Sequence, residues 1–146
     1  MSNQAAVAIA ILYRQDKFLL QLRDNIPGIV YPGHWGLFGG HIELDETPDV
    51  AVKRELLEEI SYSPPILSKV SCYTDAQVVR HVYHAPLTVE LNQLVLSEGW
   101  DMSLLTLEEI RQGKAYSVKA AQVRPLGLPH QQILLDFIDK FSRNFT

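Results

Sequence analysis

Residues 54–60, RELLEEI, constrain this chain more than any other stretch. Read as helix, with 3.6 residues per turn, they put Glu55, Glu58 and Glu59 on one side. Val50, Leu56, Leu57 and Ile60 then fall largely on the other, with Val52 at the edge of the acidic side. Three carboxylates at i, i+3 and i+4 repel one another by about a few tenths of a kcal/mol per pair. Arg54 is the only base among them, at the rim, while Lys53 points towards the apolar side. Such a face is either a solvated acidic strip or a set of oxygen donors that a hard divalent cation prefers.

The helix carries its own punctuation. Thr47 is a favoured N-cap, Pro48 suits the first helical position, and Pro64-Pro65 forces a stop. Before it, AVAIAILY and KFLLQLR flank the turn-like RQD and predict a hairpin. Residues 25–36 are a Gly/Pro loop, and WGLF reads as a short strand running into Gly39-Gly40. Beyond the helix, ILSKVSCY, QVVRHVYH and LTVELNQLVL predict an antiparallel run. TLEE, residues 106–109, is a capping box opening a short helix ended by Gly113. Pro129 opens a last helix with Ile133, Leu134, Phe137, Ile138 and Phe141 as its buried stripe. No repeat or linker interrupts this order, which predicts a single α/β unit with a mixed sheet.

Composition excludes more than it identifies. A net charge of −4 works against nucleic-acid binding, which needs clustered Lys and Arg, and against docking on an anionic membrane. At 146 residues and 47% hydrophobic, the chain is long and apolar enough for one folded domain. Cys72 is the sole cysteine, read as a small buried or half-buried apolar residue, so no intrachain disulfide or Cys-rich metal site is expected. The apolar start at residues 5–13 follows no basic segment and is too short for a bilayer, so a cytoplasmic location is expected.

The whole segment GHIELDETPDVAVKRELLEEI reads Gly40, five residues, Glu46, seven residues, then Arg54-Glu55-aliphatic-any-Glu58-Glu59. It resembles the signature of the Nudix hydrolases, a metal-binding loop–helix–loop, over Gly40 to Tyr62. The preceding WGLFGGHIE and the later LLTLEEI resemble family segments too. The resemblance spans about residues 4–113, and a C-terminal helix is common in the family, so one domain over residues 4–142 is expected. One departure stands out: the family motif ends in Gly and an aliphatic residue, where this chain has Ser61 and Tyr62. Glycine suits a left-handed helix cap, and serine adopts that conformation at a cost of about 1 kcal/mol or more.

The resemblance implies a Nudix-type α/β/α sandwich with a mixed β-sheet. It implies Mg2+ or Mn2+ as cofactor, with Glu59 as a direct ligand, Glu55 and Glu58 as ligands or holders of coordinated water, and the Gly39 carbonyl as a backbone ligand. Glycines at 39 and 40 fit this, because a backbone oxygen reaches a metal where no side chain intervenes. Arg54 and Glu46 would orient the carboxylates through salt bridges, with Gly40 in support. Glu98, in SEGWD, is implied as a further ligand or as the base. The reaction implied is attack of water on phosphorus in a nucleoside diphosphate linked to a group X, with Glu55 the first choice of base and Glu98 the second.

Arg23 is a candidate phosphate contact, and Trp35, Tyr31 and Trp100 are candidate stacking partners. A core role for Trp35 fits equally well. His81 and His84 are three apart on a predicted strand and so face opposite ways; His34 and His41 flank the Gly-rich turn as incidental loop histidines. Oxidised nucleotides, deoxynucleotides, nucleotide sugars and ADP-ribose all stay open as substrates, as does the oligomeric state. The alternative function is a catalytically silent Nudix-like sensor of a nucleotide, against which the intact glutamates argue.

Overall fold

The structure, a computed structural model, describes residues 5–141. The expected domain limits, residues 4 and 142, lie outside them. Along the chain run Ala5–Arg14 (β1), Lys17–Leu22 (β2), Trp35–Gly36 (β3), Phe38–His41 (β4), Pro48–Ile60 (α1), Ser68–Thr74 (β5) and Val78–Pro86 (β6). Asp101–Thr106 (β7), Leu107–Gln112 (α2), Lys114–Ser117 (β8), Gln122–Pro125 (β9) and Leu128–Phe141 (α3) complete a mixed α/β fold with a mixed sheet. No helix among the described residues is long and apolar enough to cross a membrane. Two compact units emerge: residues up to Leu12 with Phe38–Ser97, and Tyr13–Leu37 with the chain from Glu98 onward.

In the first unit, β4 lies antiparallel to β1, pairing Ala8 with Gly40, Ile9 with Gly39 and Ala10 with Phe38. β5 and β6 form the expected antiparallel pair, with an irregularity between Lys69 and Ser71. Cys72, expected to be buried or half-buried, is instead exposed on β5. Helix α1 starts and stops where its caps predict. Thr47 Oγ1 accepts the Val50 N–H at 3.2 Å, and Pro48 occupies the first turn. At the other end Ser61 takes the left-handed conformation itself, φ 55°, and its N–H donates to the Leu57 carbonyl. Tyr62 fills the family's aliphatic position as a buried residue whose hydroxyl donates to the Pro86 carbonyl. The helix exit is therefore kept despite the two replaced residues.

Two further expectations need correction here. Val50 and Leu57 are about half exposed (53% and 54%), whereas Val52 is fully buried. The inward stripe is Val52, Leu56 and Ile60 with Ala51, rotated from the one the larger apolar residues suggest. The stretch LTVELNQLVL is not a strand: it holds one 3-10 turn, Leu91–Gln93. Buried Leu87 and Leu94 account for its apolar look. Its end serves the helix instead, Val95 N–H reaching the Ile60 carbonyl at 3.2 Å, and Ser97 N–H, just past the stretch, the Glu59 carbonyl at 2.9 Å. These are the carbonyls that a helix C-terminus leaves without partners of its own.

In the second unit, β2 pairs antiparallel with β7 and, at Gln21 and Leu22, with β3. WGLF is not one strand, because at Leu37 the N–H leaves the ladder for His130 Nδ1 at 3.0 Å. The capping box of α2 forms as expected, Thr106 Oγ1 accepting from the Glu109 N–H at 3.1 Å, and Gly113 ends it at φ 75°. α3 buries Ile133, Leu134, Phe137 and Ile138, with Phe141 at the margin. Phe137 meets Phe18 edge-on, ring centroids 6.2 Å apart. The β8–β9 hairpin and β7 were not legible as strands.

Candidate active site

The site grows from the local geometry of β4 and α1. Gly39 has φ +144°, and a Cβ there would stand 2.1 Å from the Ala8 carbonyl oxygen, so only glycine lets β4 lie on β1. Its N–H then donates to Glu59 Oε2 at 2.9 Å, tying strand to helix. Gly40 lies against Glu55, whose carboxylate occupies the space a side chain at 40 would need.

Arg54 is the hub of the acidic residues rather than a base at their rim. Its Nε donates to Glu46 Oε2 at 2.6 Å and its Nη2 to Glu46 Oε1 at 2.9 Å, a bidentate pair. Nη1 donates to Glu55 Oε1 at 3.0 Å and to Glu58 Oε2 at 3.2 Å, and Nη2 also to the His41 carbonyl. Hydrogen bonding to Arg54, then to the Glu43 N–H, holds the Glu46 carboxyl below the usual glutamate range. The same contacts, Glu46 first, push the Arg54 guanidinium further up. Glu46, Glu55 and Glu58 are thus gathered on Arg54, while Glu59 turns to the strand.

Among the described residues, no three Asp, Glu, His or Cys side chains are already drawn together closely enough to hold a metal ion. The donor set nevertheless suits a hard divalent cation: three carboxylates within two helical turns, beside a glycine pair that leaves β4 open to them. Arg54 takes one oxygen each of Glu55 and Glu58, so its guanidinium and a cation would compete for the same charge.

Trp35 is corrected to the core: it is 0% exposed and its indole N–H donates to the Ala115 carbonyl at 3.1 Å, which leaves no face for a substrate. Arg23 is half-buried just past β2, its backbone N–H donating to the His34 carbonyl. Glu98 is exposed in the loop before β7, directly after Ser97. The carboxylate of SEGWD that the fold buries is Asp101, which accepts from the Ser117 hydroxyl at 2.7 Å. His81 Nδ1 lies 3.2 Å from Lys69 Nζ, and burial together with that ammonium depresses the imidazole's pKa.

Sequence reasoning missed several supports. The Tyr83 hydroxyl donates to Asp49 in the first turn of α1, and burial first, then this bond, pushes the phenol up. Ser97 and Val95 bind the end of α1, and no sequence signal marks such backbone contacts.

A NUDIX domain family model matches residues 2–135. The chain belongs to the Nudix hydrolase family. A MutT-like protein of Streptomyces ambofaciens is 30% identical over 132 residues, covering 86% of this chain and 80% of that one. Among solved structures, the MutT NUDIX hydrolase of Burkholderia pseudomallei superposes with a TM-score of 0.69 at 22% identity, over 92% of this chain and 97% of that one. The NUDIX domain of Shewanella oneidensis NrtR, solved in complex with ADP ribose, gives 0.72 at 24% identity, over 97% and 90%. Likeness at these identities establishes the Nudix fold, and the family is usually enzymatic.

Proposed function

We propose that this Nudix protein, one domain over residues 4–142, hydrolyses the pyrophosphate linkage of a nucleoside diphosphate joined to another group X, with Mg2+ or Mn2+ as cofactor. The observation that supports it most is the meeting of the β4 glycines with the α1 glutamates, through the Gly39–Glu59 hydrogen bond and the contact of Gly40 with Glu55. On this reading Glu55, Glu58, Glu59 and the Gly39 carbonyl hold the cation, with Glu98 as a further donor. A bound divalent cation offsets phosphate charge and makes water a stronger nucleophile at neutral pH.

The chain's own groups do the rest. Glu55 takes the proton of the attacking water, with Glu98 as the second candidate. The new oxygen–phosphorus bond forms as the bridging bond breaks, giving two phosphate-bearing products. Arg54, fixed by Glu46, keeps Glu55 aimed through the 3.0 Å bond to Oε1. Arg23 is the proposed contact to substrate phosphate. The substrate is a small molecule, and a cytoplasmic setting agrees with a single cysteine.

A substrate panel tests the proposal: oxidised nucleotides, deoxynucleotides, nucleotide sugars and ADP-ribose, with products identified by mass. ADP-ribose heads the panel because one structural neighbour was solved with it. Mg2+-dependent release of two phosphate-bearing products from at least one compound is expected. Binding without turnover across the panel would instead favour the silent sensor.

A further inference from the structure

We propose that Gly40 is a positioning residue whose missing side chain is the seat of the Glu55 carboxylate. The inference rests on the metal-site reading above and deepens it. A Cβ built on Gly40 would stand 2.5 Å from both Cδ and Oε1 of Glu55 and 2.8 Å from Oε2. All three atoms sit at the end of a rotatable side chain, so an alanine at 40 is accommodated by moving the carboxylate and leaving the strand in place. Gly39 is the opposite case. There a Cβ would meet the Ala8 carbonyl at 2.1 Å and Ile9 Cα at 2.6 Å, both backbone atoms, at a φ of +144°.

The adjacent glycines therefore have separate tasks. Gly39 lets two strands meet, and Gly40 fixes where one carboxylate ends. Arg54 Nη1 holds Oε1 of that carboxylate at 3.0 Å, and the Glu55 side chain is only 16% exposed. A methyl group at 40 pushes the carboxylate out of this seat, and residues that orient a ligand typically change metal affinity by roughly 10- to 100-fold.

The test compares the full-length parent with Gly40→Ala, Glu55→Ala and the double variant. Mn2+ binding is followed by the electron paramagnetic resonance of the free ion, and thermal unfolding is measured without metal. Gly40→Ala should fold, bind Mn2+ roughly 10- to 100-fold more weakly than the parent, and cause no further loss in the Glu55→Ala background. Unchanged affinity in Gly40→Ala, or an equal loss with and without Glu55, would overturn the seat. If Gly40→Ala fails to fold, the double variant decides: recovery of folding supports the clash with Glu55, and continued failure assigns Gly40 to the backbone. A parent that binds no Mn2+ overturns the metal-site reading itself; the crystal structure of Gly40→Ala then decides the seat alone, a displaced carboxylate on an unmoved β4 supporting it and a shifted strand overturning it.

Discussion

Four carboxylates, those of Glu43, Glu46, Glu55 and Glu58, stand within 3.7 Å of the Arg54 guanidinium. One planar fork donates to acceptors in several directions, which a lysine ammonium cannot reproduce. Arg54→Ala leaves these carboxylates to repel one another, so its unfolding midpoint should fall by a few degrees, and Arg54→Lys should recover only part of the loss. Added Mg2+ should raise the midpoint of Arg54→Ala more than that of the parent, because the cation replaces the missing charge. Thermal unfolding with and without Mg2+ checks both, and an alanine variant as stable as the parent would remove Arg54 as hub. The wheel placed Arg54 at a rim because it sees only one helix. Glu46 reaches it from the preceding loop and the His41 carbonyl from the end of β4, 8 and 13 residues away, and no helical periodicity encodes that approach. Trp35 shows the same limit: aromatic character suits a core and a stacking platform alike, and only its burial decides.

At the scale of elements, the ends of α1 were legible because caps are local. Thr47 bonds a backbone N–H three residues away, so Thr47→Ala should cost about 1 kcal/mol in urea unfolding. Ser61 holds φ 55°, a conformation that glycine adopts without Cβ strain, so Ser61→Gly should stabilise by about 1 kcal/mol. A Ser61→Gly variant less stable than the parent would show that the serine has a compensating role. Residues 87–96 were misread for the complementary reason. Their apolar spacing imitates a strand, but Val95 and Ser97 send their N–H groups to the end of α1. The β8–β9 hairpin has only four residues per strand, and although β8 alternates exposed and buried positions, its Tyr116 and the Val123 of β9 are exposed, so the large apolar residues do not mark the buried face.

For the whole molecule, the family motif carried the fold, and the motif's carboxylates set its response to acid. Glu46 titrates below its ordinary value in the folded chain, so its contribution to stability is complete above the unfolded value of about 4.3 and is lost as pH falls below it. Asp75, lowered to about 2 chiefly by its hydrogen bond from Arg80, adds a loss in the same direction. Glu46→Gln should therefore flatten the acid limb of the stability profile, as urea midpoints from about pH 3 to about pH 7 will record. Whether the α1 glutamates hold the cation for hydrolysis is decided by Glu59→Gln. Glutamine can still accept the Gly39 N–H but removes the charge, so metal-free thermal unfolding should match the parent within a few degrees. Turnover of the best panel substrate at saturating Mg2+ should fall by orders of magnitude, because several kcal/mol of charge stabilisation depends on the cation. A Glu59→Gln protein that unfolds normally and hydrolyses at near-parental rates would remove Glu59 from the mechanism.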